Sequence, residues 1–402
     1  MTMETFDVVV IGGGPAGATA AHESAASGRR TLLLDRAGRI KPCGGAIPPR
    51  LIEDFDIPSS LVVAQISAAR MVAPSGRRVD MPVGDGFVGM VDRETFDEWL
   101  RARAASAGAE RRTGIFQQLD RDADGTAIVR YAGGSSRFGD AGAVRARMVV
   151  GADGALSAVA RQAIPGAQHA RHVFAYHEIV RSPGALPNED FDGTRCDVYY
   201  QGGLSPDFYA WIFPHGATTS VGTGSMQKGF PLRAAVAQLR AATHLDDAAT
   251  LRREGAPIPL APLPRWDNGR DVVIAGDAAG VVAPASGEGI FYAMTGGRYA
   301  AQAVHAALDA PDTSAAAREL ARYRRRYLRE HGNVFRVLGI MQRFWYASDA
   351  RRERFVAICR DRDVQRLTFD AYMRKRLVRA KPIAHVRIFL KNIAHLTGLV
   401  RA

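Results

Sequence analysis

Residues 6–11 (FDVVVI) are a short β-rich run, residues 15–27 are rich in alanine, and residues 30–35 (RTLLLD) form a second such run with an apolar centre, ending in Asp35. Short apolar runs around a helical segment predict a β-α-β unit, the start of a parallel sheet buried on both faces. Residues 41–50, rich in proline and glycine, read as a loop, and 93–107 carry helical periodicity. A strand at 145–151 leads into a helix near 155–162. Between 173 and 224 the pattern changes to alternating strands with aromatics at Tyr199, Tyr200, Phe208, Tyr209, Trp211 and Phe213. Such alternation fits an antiparallel sheet. A buried strand is expected again at 271–275 and a helix at 289–308, with helical pattern continuing to the end. The expected class is α/β, a Rossmann-type domain with an inserted antiparallel-sheet domain and a C-terminal helical region. Its parts fall at 1–165 with an excursion into the second domain at about 66–90, then 166–268, 269–310 and 311–402.

Composition changes this picture mainly through charge. The 402 residues are 47% hydrophobic and 23% charged, ordinary for a globular chain. Of the net +12, residues from 321 onward contribute 21 Lys and Arg against 6 Asp and Glu, leaving the first 320 residues slightly acidic. A basic block of this kind suits an anionic membrane surface, nucleic acid or an acidic substrate, or is a solvated helical face. No recognised nucleic-acid motif accompanies it, so nucleic acid is set aside. Residues 382–402 place Val386, Phe389, Leu390, Ile393, Leu396, Thr397 and Val400 on one side of a helix, and Arg387, Lys391 and His395 on the other. That face fits either a membrane interface or packing against the protein. The start of the chain runs straight into the first strand without a basic stretch and cleavable apolar segment, which points to the cytoplasm. Three separated cysteines, Cys43, Cys196 and Cys359, suggest no disulfide framework, and His169 and His172 lack companion ligands, so no metal is expected.

The strongest local signal is G-x-G-x-x-G at Gly12, Gly14 and Gly17, directly after a strand and opening a helix, with Asp35 at the end of the next strand. The first glycine permits the tight turn, the second lets backbone approach a pyrophosphate, and the third lets helix and strand pack closely. Ala16 and Pro15 sit in the first helical turn, where phosphate oxygens meet the helix N-terminus. Asp35 is placed to accept hydrogen bonds from a ribose, and Arg36 follows it. Residues 149–161, VVGADGALSAVAR, give a second strand-to-helix turn with Asp153. Residues 271–289, DVVIAGDAAGVVAPASGEG, give a third, with Gly276 and Asp277. Gly222 and Gly224 carry no third glycine and read as a hairpin or strand end.

These three segments in this order resemble the flavoproteins built like para-hydroxybenzoate hydroxylase. The resemblance implies FAD held by Gly12, Gly14, Ala16, Gly17, Asp35, Arg36, Arg93, Asp153, Gly276 and Asp277, with Gly287, Gly289 and Ile290 behind the isoalloxazine. It also implies NADPH as a donor that visits transiently, since no second dinucleotide fold is present. KPCGGAIPPR (41–50) and SPDFYAWIFPHG (205–216) are similar to the geranylgeranyl reductase family. AYHEIVRSP (175–183), APASGEGIFYAMTGGR (283–298), MQRFWYASDARRERF (341–355) and RLVRAKPIAHVRIF (376–389) extend the likeness to the branch acting on chlorophyll or bacteriochlorophyll. Ala217 departs from the family, where an acid is common, and Asp35 stands where many flavoproteins have Glu.

The resemblance places Cys43, Gly44, Gly45 and Ala46 beside the flavin, and Tyr209, Trp211, Phe213 and Pro214 along a prenyl chain. The substrate it implies is a geranylgeranylated pigment or the diphosphate, and the location peripheral on the photosynthetic membrane. An isolated trisubstituted alkene has no carbonyl to take a hydride, so protonation must build tertiary cationic character. Cys43 is the candidate proton donor, and the faces of Tyr209 and Trp211 suit such charge. An aromatic or isoprenoid monooxygenase of the same fold, an archaeal-type lipid reductase and a prenyl-binding escort remain alternatives.

Overall fold

The computed structural model describes residues 3–36, 40–184 and 190–375. It divides into two compact units, each assembled from three pieces of chain. Met1–Lys41, Arg93–His172 and Pro257–Phe335 form the first, and Pro42–Asp92, Val173–Ala256 and Arg336–Ala402 the second.

In the first unit five strands lie parallel, in the spatial order Glu110–Arg121, Thr31–Asp35, Thr5–Ile11, Ala141–Gly151, Val272–Ile274. Strand Thr5–Ile11 is flanked on both edges, and Val8, Val9 and Val10 are fully buried, which is why its sequence shows no alternation. Strand Ala127–Gly133 runs antiparallel to the later part of Glu110–Arg121 and to the start of Ala141–Gly151. Neither it nor Glu110–Arg121 stands out in the sequence pattern.

Helix Pro15–Ala26 buries Ala16, Ala18, Ala20, Ala21 and Ala25. Small side chains there let helix Ile290–Leu308 come against it. A Cβ on Gly297 would lie 2.1 Å from the Ala16 carbonyl oxygen, so the two helices touch backbone to backbone.

The second unit carries a seven-stranded sheet in the order Thr250–Pro259, His172–Arg181, Thr218–Ser225, Ala210–His215, Arg195–Tyr199, Ala68–Val72, Arg78–Pro82. The sheet is not wholly antiparallel. Arg195–Tyr199 and Ala68–Val72 pair in parallel, because the excursion enters the sheet from a distant part of the chain. That excursion spans 42–92, longer than the 66–90 read from sequence. It is longer because Ala46–Ile47 and Val62–Ile66 both pair with Val88–Val91 in a small sheet of their own. Residues 41–50 are therefore not all loop, since Pro49–Asp54 is also helical. Gly222 and Gly224 lie inside strand Thr218–Ser225 rather than at a hairpin.

Helices Thr313–Trp345, Asp349–Ile358 and Arg362–Arg374 supply the helical character expected after residue 311. Residues 376–402, with the amphipathic face at 382–402 and the motif at 376–389, lie outside the described residues.

Gly297→Ala is expected to cost about 1–3 kcal/mol by overpacking, read as a fall of roughly 2–10 °C in Tm. An unchanged Tm would show that the two helices do not depend on this approach.

Candidate functional site

In the first unit the glycine turn follows strand Thr5–Ile11. Gly12 has φ +104°, and a Cβ there would lie 2.4 Å from the Ala152 carbonyl oxygen. At Gly17 a Cβ would lie 1.8 Å from the Gly12 carbonyl oxygen. The third glycine thus packs on the first as well as on the sheet. Gly14, the N-cap of helix Pro15–Ala26, behaves differently, because a Cβ there meets nothing within 4 Å. Close packing explains Gly12 and Gly17. At Gly14 no packing contact demands glycine, and its place at a helix N-terminus suits a phosphate group.

Asp35 ends strand Thr31–Asp35 beside this turn. Its carboxylate accepts from the Gly13 N–H and lies 3.6 Å from Arg101, whose guanidinium also donates to the Gly13 carbonyl at 3.3 Å. Burial raises the Asp35 pKa above the usual carboxylate value, against the pull of these partners. Arg36 is exposed.

Gly276 has φ +64°, and a Cβ on it would meet the Ala16 methyl at 2.7 Å. The turn Gly276–Ala279 is thereby pressed against the first helix. Asp277, nearly buried, pairs with Lys41. Gly287 has φ +66°, and Gly289 is the N-cap of helix Ile290–Leu308, 3.8 Å from an Asp277 oxygen by its would-be Cβ. The Glu288 carboxylate accepts from the Phe291 N–H at 3.0 Å and caps that helix. Gly12, Gly14, Ala16, Gly17, Gly276, Asp277 and Gly289 therefore share one neighbourhood.

Two expected cofactor residues have side-chain partners within the protein. The Asp153 carboxylate accepts from the Ser157 hydroxyl and from the N–H groups of Ala158 at 2.7 Å and Val159 at 3.2 Å, capping helix Ala158–Ala163. Arg93 makes a buried two-point pair with Asp97 at 2.9 and 2.7 Å. Its spacing of four residues on helix Arg93–Ser106 is a helical ion-pair signal. The His172 ring bonds the Ala155 carbonyl and the His169 ring the Gln168 side chain. Among the described residues no cluster of three or more His, Cys, Asp or Glu is placed to hold a metal ion.

In the second unit the two motifs that were far apart in sequence meet. A Cβ on Gly44 would lie 2.9 Å from the Phe213 ring, and one on Gly45 (φ +69°) would lie 2.5 Å from the His215 ring. The Cys43 sulfur accepts from the Gly45 N–H at 3.4 Å. Cys43 is half-buried, whereas burial raises the thiol pKa values of Cys196 and Cys359, the latter to about 12. Burial also lowers the pKa of His215 below the usual imidazole value, so its ring is neutral near pH 7.

The aromatic residues form a ladder. Tyr209 and Trp211 have ring centroids 5.9 Å apart, and Trp211 and Phe213 6.0 Å. Tyr209 and Trp211 are buried, Phe213 half-buried and Pro214 buried. Pro214 sits past the pairing with Asp197, Val198 and Tyr199, where a missing N–H leaves that edge of the ladder undisturbed. Gly222 makes room, since a Cβ on it would meet the Trp211 ring at 2.3 Å.

Sequence reading gave no bracing role to the groups that hold this ladder. Tyr200 packs 6.3 Å from Tyr209, 5.3 Å from Tyr346 and 5.0 Å from Phe355, centroid to centroid. The buried Arg352 guanidinium donates to the carbonyls of Pro206 and Tyr346 and pairs with Asp349 at 2.6 Å. The motif at 341–355 therefore anchors the loop before the aromatic strand.

The glycine turn with an acid after the second strand and another after the last strand defines a Rossmann-type flavin oxidoreductase. The profile of the pyridine nucleotide-disulphide oxidoreductase family matches residues 6–190. The geranylgeranyl diphosphate reductase of Rhodobacter capsulatus is 54% identical, over 98% of this chain and 98% of its own. The chloroplastic geranylgeranyl diphosphate reductase of Oryza sativa is 36% identical, over 98% of this chain and 86% of its own. A geranylgeranyl bacteriochlorophyll reductase-like protein from Thermoplasma acidophilum shares the fold, with TM-score 0.80, 23% identity, 95% of this chain and 100% of that chain covered. The chain belongs to the geranylgeranyl diphosphate reductase family.

Asp277→Ala removes the acid of the Gly276–Ala279 turn and is expected to weaken FAD retention at least tenfold, measured by flavin fluorescence titration. Full flavin occupancy and affinity in that variant would remove Asp277 from the cofactor site.

Proposed function

We propose that the protein is an FAD-dependent reductase that saturates the C=C bonds of a geranylgeranyl chain to give a phytyl chain. The substrate is (bacterio)chlorophyll carrying the chain, geranylgeranyl diphosphate, or both. The observation that carries the reading is the seating of Gly44 against Phe213 and of Gly45 against His215, with Cys43 adjoining them in the chain. Two motifs of the family come together in the second unit.

In this reading the backbone at Gly12 and Gly14 and the helix N-terminus after it hold the pyrophosphate. Ala16 and Gly17 pack the turn, and Asp35 accepts from the ribose with Arg36 nearby. Gly276 and Asp277 hold the ribityl region, and Gly287, Gly289 and Ile290 back the isoalloxazine. Arg93 and Asp153 act through structure, the first by its pair with Asp97 and the second by capping a helix. Reduced FAD supplies the hydride, and NADPH is proposed as its transient donor.

The chain's own task is to hold an isolated alkene and the charge it gains on protonation. Tyr209, Trp211 and Phe213 offer three π faces in a row, and water excluded by their burial strengthens the attraction for a cationic carbon. Burial raises the Tyr209 pKa far above the ordinary phenol value, so it stays protonated. Cys43 is the half-buried thiol beside this ladder and is assigned the proton at its sulfur.

Incubation with NADPH and geranylgeranyl diphosphate or geranylgeranylated pigment is expected to give products heavier by two mass units per saturated bond. Cys43→Ala should keep FAD and flavin reduction but slow alkene reduction at least tenfold, or stop it before all bonds are saturated. Wild-type alkene reduction in that variant would show that Cys43 fills space. Oxygen incorporation without a two-unit gain would favour a monooxygenase.

The proposed location is cytoplasmic and peripheral on the photosynthetic membrane. No described helix is long and apolar enough to cross a membrane. The support is the basic block after residue 321, interleaved with apolar residues. Deleting 382–402 is expected to move the protein from a salt-sensitive membrane fraction to the supernatant with its FAD retained. Unchanged sedimentation would make the tail a packing element.

A further inference from the structure

A line of polar side chains crosses four neighbouring strands of the second unit and ends at one aromatic ring. The Trp211 Nε1–H donates to the Ser220 hydroxyl oxygen at 3.0 Å. Ser220 Oγ lies 2.8 Å from His177 Nδ1, and His177 Nε2 lies 3.0 Å from Glu254 Oε2. Ser220 is fully buried, His177 is 4% exposed and the Glu254 side chain is 15% exposed.

The donors fix the direction of the chain. An indole nitrogen only donates and a carboxylate only accepts. His177 therefore carries its proton on Nε2, toward Glu254, and presents a bare Nδ1 to which the Ser220 hydroxyl donates. Ser220 keeps a lone pair for the indole. Every polar atom of the line is satisfied with one neutral imidazole, and one arrangement of protons does it. Burial would raise the Glu254 pKa, but the His177 hydrogen bond and the Arg252 guanidinium at 3.2 Å outweigh it and hold the carboxyl below the usual carboxylate value.

A buried tryptophan needs only one acceptor for its N–H, and Ser220 alone meets that need. Extending the line through a buried imidazole to a carboxylate adds something else. Negative charge at one end polarises each hydrogen bond in turn and makes Ser220 a stronger acceptor. A more strongly held N–H leaves more electron density on the indole face. Gly222 clamps the same geometry, because a Cβ there would lie 2.3 Å from the Trp211 ring and 2.6 Å from the His177 Cβ.

We infer that Glu254, His177 and Ser220 are positioning residues that fix and electron-enrich the Trp211 ring, so that its face stabilises the cationic carbon formed when the prenyl alkene is protonated. This rests on the reading of Trp211 as part of the prenyl wall. It assigns a role to three residues that touch neither the wall's open faces nor the cofactor turn.

The test uses the FAD-loaded full chain, its flavin reduced with dithionite, and geranylgeranyl diphosphate under anaerobic single-turnover conditions. His177→Phe breaks the line and is expected to slow alkene reduction about tenfold, with little change in half-saturating substrate and with flavin content kept. Trp211 emission, isolated by difference against Trp211→Phe, should shift in parallel. His177→Asn, whose amide oxygen can accept the Ser220 hydroxyl, should recover part of both. Glu254→Gln keeps the shape of the line while removing its charge, lies at its more exposed end, and should slow reduction about threefold. Wild-type rates and emission in His177→Phe and Glu254→Gln, with Trp211→Phe impaired, overturn the inference alone. A wild-type rate in Trp211→Phe overturns the prenyl wall and the inference with it. If His177→Phe loses its flavin, Glu254→Gln decides: a wild-type rate and emission overturn the inference.

Discussion

The first unit depends on close approaches of its backbone at glycines, where no side chain can stand. Gly12 against Ala152, Gly17 against Gly12, Gly276 against Ala16 and Gly297 against Ala16 each place a would-be Cβ closer than 3 Å to another atom. Through these contacts the ends of three parallel strands and two helices converge on one short turn. A single added methyl at any of them must displace main chain, which a packed interior resists. What the packing leaves open is Gly14, at a helix N-terminus. The fold thus brings a helix N-terminus to the turn at a glycine that no close contact requires. That is the physical basis for assigning a pyrophosphate there.

The second unit is organised by aromatic bulk. Tyr209, Trp211 and Phe213 need flat partners and space, and the chain supplies both. Gly44 and Gly222 remove side chains where the Phe213 and Trp211 rings lie. Tyr200 packs on Tyr209 and is itself packed by Tyr346 and Phe355, and Arg352 ties down the loop ahead of Tyr209. The Trp211 N–H that this bulk would strand is satisfied through a line of side chains ending at Glu254. Apolar faces with satisfied edges suit a long hydrocarbon and a transient positive charge.

Much of this was legible in the chain. The β-α-β start was readable because central parallel strands are apolar on both faces and because glycine, proline and acid fell at the required offsets. The aromatic strand was readable from its alternation. Strands Glu110–Arg121 and Ala127–Gly133 were not, since the former is largely exposed and its polar residues hide the period. Ala46–Ile47 was hidden because its partner, Gly89–Met90, is far along the chain. Asp153 and Arg93 also have structural partners that the sequence reading did not name, for a shared reason: an acid or base near a turn can serve the turn itself. Ser157 and Asp97, each four residues on, were the available signals. His177, Ser220 and Glu254 could not be joined from sequence, because they lie on separate strands that only the sheet order makes neighbours.

The central claim is a division of labour, with cofactor held by the glycine-built unit and prenyl chain held along Tyr209, Trp211 and Phe213. Photoaffinity labelling tests it most directly, using a geranylgeranyl diphosphate analogue with a diazirine in its prenyl chain and peptide mass mapping of the FAD-loaded protein. The expected label falls on the peptide containing 205–216 and is lost when unlabelled geranylgeranyl diphosphate competes. Competable labelling confined to other peptides, with 205–216 unmarked, would contradict the account.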